Sequence, residues 1–405
     1  MAETTMSNPR LPAELLDHVV DHLHDDEYAL RNCCLISKSW VPRTRMHLFA
    51  DITFDTAKRL RSWRKTFSDP STSPAYYTET LCVHCLPDII AAGAEAGRWI
   101  RTFSGVVVLK LTDTREKCVN ELRKYLVPFH GLSPIVKSLC VEIPVLPSSQ
   151  IFDLILSFPL VEDLTVITYI SLADDKDTLD LLPISALPST PPMTGSLSLF
   201  RQEGLKPLAR RLLSLPGGIH FQNINLRLLF EEDLSFAMAL VEGCSHTPKS
   251  LDLSCVCFSG MTARHCVRTG GLPLFLDEPR STPIDLSKAA GLENVTVRVN
   301  SQAVCWVTMV LQTIPLEHSD LRQISIYLPF DSALIDTAAA IRQPLGEALR
   351  RRWSGLDRLL VRLWELRSIR PRVGCIKLGE QEQNMEDNVR CFLPEIMRRG
   401  IVDLV

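Results

Sequence analysis

What the sequence lacks narrows it first. Lysine plus arginine (44) nearly balance aspartate plus glutamate (47) over 405 residues, so neither sign dominates. A nucleic-acid binder is usually strongly basic, and no nucleic-acid partner is expected. No apolar run is long enough to span a bilayer. The best stretch, Val299–Leu316, carries no charge, but Asn300, Gln302, Gln312 and Pro315 interrupt it. A buried helix beside a strand is expected there, and no membrane partner. The opening MAETTMSNPR has no apolar run, so no signal peptide is expected. The 13 cysteines are odd in number and irregularly spaced. That fits reduced thiols in the cytosol or nucleus rather than a disulfide framework.

Catalytic signatures are missing too. The sequence holds no G-x-x-x-x-G-K phosphate loop, no G-x-G-x-x-G, no G-x-S-x-G and no H-E-x-x-H. The one stretch that resembles a metal site is CVHC, Cys82–Cys85. Zinc needs four ligands, and no second C-x-x-C or spaced histidine pair completes the set. The stretch also reads as a strand, where residues three apart face opposite ways. Cys255-x-Cys257 with His265-Cys266 is a weaker arrangement still. Buried cysteine ordinarily acts as a small apolar residue. No metal, no cofactor and no catalytic residue is assigned, and the chain is not expected to be an enzyme. Arg350–Arg352 with Arg342 and Arg358 is a basic cluster, most simply a solvated helix face.

What is present is an ordinary globular balance, 46% hydrophobic and 22% charged. The length suits two or more domains at about 150 residues each. Residues 1–8 read as a flexible N-terminus. From 9 to 50 only helices are expected. In LPAELLDHVVDHL, Leu11, Leu15, Val19 and Leu23 recur every fourth residue and line one helical face. Pro12 sits in the first turn, where its missing N–H costs nothing. A second helix is expected from Tyr28 to Ser37, with Leu30, Cys33, Cys34 and Ile36 apolar. A third begins near Lys38 and carries Trp40, Met46, Leu48 and Phe49. Three short helices bury little surface, so the unit should lean on the rest of the chain or on a partner. A basic amphipathic helix capped by Thr56 is expected over Thr56–Ser68.

From residue 51 to 405 the texture changes. An apolar-x-apolar pair returns at Ile52/Phe54, Leu81/Val83, Val107/Leu109, Leu139/Val141, Leu164/Val166 and Leu197/Leu199. It continues at Ile224/Leu226, Leu251/Leu253, Val295/Val297, Ile324/Ile326 and Leu359/Val361. The first members lie 29, 26, 32, 25, 33, 27, 27, 44, 29 and 35 residues apart. Each pair reads as a short strand. Helix-like segments intervene at Thr114–Val127, Ser148–Ser157, Glu231–Glu242 and Cys305–Ile314. A strand and a helix repeated at this length are the signature of a leucine-rich-repeat-like solenoid. The fold class expected is mixed α/β: a small three-helix unit, then an irregular α/β solenoid. A generic α/β domain is the plainer alternative. Two polar inserts, at 171–192 and 259–285, read as exposed loops.

The N-terminal helices resemble an F-box. Leu11-Pro12, Glu14-Leu15-Leu16, Val19-Val20 and Leu23 match the first half of that pattern. Leu30, Cys33, Ile36, Ser37 and Trp40 match the second, over about forty residues. More loosely, PFHGLSPIVKSL (Pro128–Leu139) and FPLVEDLTV (Phe158–Val166) resemble stretches of uncharacterised fungal F-box proteins. The resemblance implies that Leu11, Pro12, Leu15, Val19, Leu23, Leu30, Cys33, Ile36 and Trp40 bind the Skp adaptor. Through it the chain would join a cullin–RING ubiquitin ligase, with the repeat domain holding a protein substrate. The competing expectation is an interaction scaffold that keeps an F-box-like bundle without assembling a ligase.

Overall fold

The computed structural model describes residues 12–69, 72–84, 98–113, 129, 132, 134–143, 148–167, 192–202, 205–228, 234–244, 246–255, 284–289, 291–299, 304–314, 320–328, 344–367, 369, 371–375, 390, 393–401 and 403–404. The segment Thr114–Val127 and nearly all of the inserts 171–192 and 259–285 lie outside these residues.

The chain forms two compact units. One comprises 1–142 with 157–160, the other 143–156 with 161–405. The helical N-terminus shares a unit with the first strands. The first unit opens with α1 (Ala13–His22), α2 (Glu27–Ile36) and α3 (Val41–Leu48). Strand β1 (Asp51–Phe54) comes directly after, then α4 (Ala57–Thr66), whose N-terminus is capped as expected by Thr56 accepting from the Arg59 N–H. A 3-10 turn at Pro74–Tyr77 packs against α3. Strands β2 (Thr80–Val83), β3 (Val108–Thr112) and β4 (Ser138–Glu142) complete this unit. Its core is aromatic. Phe54 meets Trp63, Trp99 and Phe103 edge-on at 5.6–6.1 Å between ring centroids, the geometry the ring quadrupoles favour.

The second unit alternates strands and helices. Its elements are α5 (Ser148–Leu156), β5 (Asp163–Ile167), β6 (Ser196–Gln202), α6 (Leu205–Leu213), β7 (Asn223–Leu228) and α7 (Leu234–Cys244). Then come β8 (Ser250–Cys255), β9 (Asn294–Val299), α8 (Val304–Gln312), β10 (Gln323–Leu328), α9 (Pro344–Arg367), β11 (Arg372–Cys375), α10 (Pro394–Arg398) and β12 (Asp403–Leu404). Within each unit every strand pairs in parallel with the next in chain order. Helices keep the same order, with α5 on α6, α6 on α7, α8 on α9 and α9 on α10.

Two details recur and set the register. Ahead of a strand, one carbonyl accepts two successive N–H groups from the next strand's start. Gly195 O takes Gln222 and Asn223, Gln222 O takes Lys249 and Ser250, and Lys249 O takes Glu293 and Asn294. After a helix, a hydroxyl bonds back three residues. Ser214 Oγ donates to Arg211 O at 2.8 Å, Thr247 Oγ1 to Cys244 O at 2.8 Å, and Thr313 Oγ1 to Val310 O at 2.7 Å. Each bond satisfies one of the carbonyls a helix end leaves open.

The apolar pairs are the buried face of these strands, with two corrections. In β3 the inward pair is Leu109/Leu111, in register with Leu81/Val83, so Val107/Leu109 is displaced by one alternation. Leu359/Val361 is not a strand but part of α9. Trp353, Leu356, Leu360 and Leu363 there keep helical spacing and are buried together, and a period of 3.6 overrides a local alternation. The stretch Val299–Leu316 resolves into the end of β9 and the nine residues of α8. No described helix is long and apolar enough to cross a membrane.

A buried clip holds the last helix. Asp357 of α9 accepts from the N–H of Glu395 at 2.9 Å and of Ile396 at 3.0 Å. Its side chain is buried, and that burial pushes its carboxyl upward against the pull of the two N–H groups. Asp357→Ala orphans both donors, at a cost of about 1–3 kcal/mol. Hydrogen exchange at Pro394–Arg398 reports the loosening, and unchanged exchange there contradicts the clip.

Candidate functional site

The expected adaptor-binding residues divide sharply once placed. Helix α1 starts after Pro12, whose carbonyl takes the N–H of Leu15 and Leu16. Its inward stripe is Leu16, Val20 and Leu23, spaced i, i+4, i+7, with Val20 fully buried. The stripe expected from Leu11, Leu15, Val19 and Leu23 is thus not a single face. Leu15 (49% exposed) and Val19 (47%) look outward, Leu23 is partly buried, and Leu11 lies outside the described residues. Pro12 is exposed.

Helix α2 shows the same division. Asp26 caps it, accepting from the Ala29 N–H at 2.9 Å. Leu30 and Cys33 are buried within the bundle. They hold the helices together and present no surface to a partner in this conformation. Ile36 is 67% exposed. Leu35 (85%) and Tyr28 (77%) are more exposed still, and neither was among the residues the F-box pattern singled out. Their positions carried the signal. At about 100° per residue, 28 and 35 fall on one side of a helix and 30 on the other. A helix that buries Leu30 therefore shows Leu35. Trp40 is partly buried at the start of α3. Among the described residues, five of nine exposed large hydrophobics fall in α1 and α2. Isolated exposed apolar residues are ordinary, and five on two short helices are a concentration.

An electrostatic clamp joins α1 to α3. Arg43 of α3 grips Asp21 of α1 through two nitrogens, Nε at 2.5 Å and Nη2 at 2.7 Å, while His47 Nε2 lies 2.7 Å from the same carboxylate. The Arg43 guanidinium first, then His47, hold the Asp21 carboxyl well below its ordinary value of 3.8. A depressed acid stabilises the fold fully above its unfolded value and ceases to as pH falls toward the folded one. The clamp therefore contributes fully at neutral pH, and that contribution declines progressively as pH falls below 3.8. Asp21→Asn lowers the thermal midpoint of the first unit at neutral pH, and the difference from wild type shrinks in acid. A gap between the two that persists in acid contradicts the assignment.

Cys82 lies in β2 and His84 just after it, while Cys85, Cys257, His265 and Cys266 fall outside the described residues. Among the described residues no group of three His, Cys, Asp or Glu side chains is placed to hold a metal ion. Burial pushes the Cys33 and Cys140 thiols upward and that of Cys244 to about 11, so all three stay protonated at neutral pH. Of the basic cluster, Arg358 is exposed and donates to Ser354 O at 3.1 Å along its own helix. Arg342 and the side chains of Arg350–Arg352 lie outside the described residues.

The bundle thus joins a bonded interior to exposed apolar side chains. No family model matches the chain, and no curated protein matches it.

Proposed function

We propose that this chain is an F-box protein, the substrate-recognition subunit of a Skp–cullin–RING ubiquitin ligase. The helices α1–α3 dock the Skp adaptor. The strand and helix repeats form a leucine-rich-repeat-like solenoid that holds a protein substrate in the cytosol or nucleus. The observation that carries this reading is the exposure of Leu15 and Val19 on α1 and of Leu35 and Ile36 on α2, in a bundle whose sequence keeps the F-box order. The strictly sequential parallel pairing supports the repeat reading, since each unit then contacts mainly its neighbours.

The action would be proximity. The adaptor fixes one end, the substrate is held at the other, and the conjugating enzyme meets its target at raised effective concentration. No residue of this chain then needs to react. Co-expression of the full chain with the Skp adaptor tests the proposal, with a stable one-to-one complex expected on size exclusion. Two separate peaks overturn it in favour of the scaffold. The buried positions of Leu30 and Cys33 favour that second reading to one extent: the bundle has an interior of its own without a partner.

A further inference from the structure

In β6–β10 alternate residues turn away from the apolar core, and parallel register lines them up. One such row reads Phe200, Arg227, Ser254, Arg298, Tyr327 on five successive strands. It is symmetric about Ser254, with an arginine on each side and an aromatic ring beyond each arginine. Arg227 Cζ lies 4.6 Å from the Phe200 ring centroid, and Arg298 Cζ lies 5.3 Å from that of Tyr327. Stacking holds both guanidiniums at low entropic cost. Strands about 4.8 Å apart put the two arginine stems about 10 Å from one another. Ser254 between them is small and buried.

Beneath this row Asp252 takes one edge of Arg298 at 2.8 Å. Arg227 is exposed and makes no ion pair among the described residues. Two positive charges over one negative leave a net charge of one. A single carboxylate neutralises that balance, whereas a doubly charged phosphate exceeds it by one charge. The row two residues nearer the strand starts, Ser198, Asn225, Asp252, Thr296 and Ser325, is polar and uncharged apart from Asp252. Those side chains suit hydrogen bonds to a peptide main chain.

We propose that this row is a binding site for an acidic peptide segment, whose carboxylate sits over Ser254 between Arg227 and Arg298. If the ligase reading holds, the site defines the class of substrate. It also stands without that reading, because nothing in it involves the adaptor.

The test is fluorescence anisotropy on the full chain, with a labelled tetraglutamate peptide and its tetraglutamine counterpart. The glutamate peptide is expected to bind at least about tenfold more tightly, the worth of a charge-assisted hydrogen bond. Arg227→Gln, at an exposed position, abolishes that preference, and Arg227→Lys restores part of it. Equal binding of the two peptides overturns the proposal, as does no binding of either. A glutamate preference that survives Arg227→Gln also overturns it. So does displacement of the peptide by inorganic phosphate at concentrations where acetate has no effect. Adaptor capture is measured separately, so failure of one reading leaves the other standing.

Discussion

Replacing Leu35 and Ile36 together by aspartate abolishes capture of the Skp adaptor while the variant keeps its fold. Both side chains are mostly in water already, so the free protein loses little when they become polar. In the complex each would bury its remaining apolar surface, worth about 2 kcal/mol. Losing two such contacts weakens binding about a thousandfold, at about 1.4 kcal/mol per tenfold. Leu30→Asp makes the contrast. It puts a charge inside the bundle and unfolds the bundle itself, because an unpaired buried charge is far more costly. Circular dichroism therefore separates the two: the surface variant melts like wild type and the core variant does not. If the surface variant still captures the adaptor, the exposed face has another use.

Trp306→Ala destabilises the second unit by about 3–5 kcal/mol, the range for removing a large aromatic from a packed core. Trp306 is among the largest side chains fully buried in the molecule. It lies in α8, which packs against both β9 and α9, so the cavity cannot be filled from one side alone. Its indole N–H is buried without a partner among the described residues. Trp306→Phe removes that orphaned donor along with some volume, and so costs much less than the alanine change. Urea titration of the full chain reads both. Equal losses in the two variants contradict the packing account.

The strand ladder was legible because alternation is a local signal. Leu251 and Leu253 need only one polar residue between them to declare a buried strand face, and parallel pairing with Ile224 and Leu226 comes with the repeat. Leu359 and Val361 show the limit. The same two-residue pattern occurs on a helix that happens to bury adjacent positions, and only the longer run from Trp353 to Leu363 tells them apart. The bundle was legible as helices, but its faces were not. Counting every fourth residue from Leu11 placed Leu15, Val19 and Leu23 together. The interior took Leu16 and Val20 instead, with the Asp21–Arg43 clamp joining α1 to α3. That clamp joins residues 22 positions apart and has no local signature. The paired arginines of β7 and β9 were illegible for the same reason. Arg227 and Arg298 are far apart in sequence and become neighbours only two strands apart in the sheet.

Hydrogen exchange on the full chain, with and without saturating Skp adaptor, is the most direct measurement. A small bundle opens readily on its own, so a partner that covers it slows exchange markedly there. Slowed exchange in Ala13–His22 and Glu27–Ile36, with β5–β11 unchanged, is the predicted result. Identical exchange with and without the adaptor, or protection confined to the second unit, would contradict adaptor docking through the bundle.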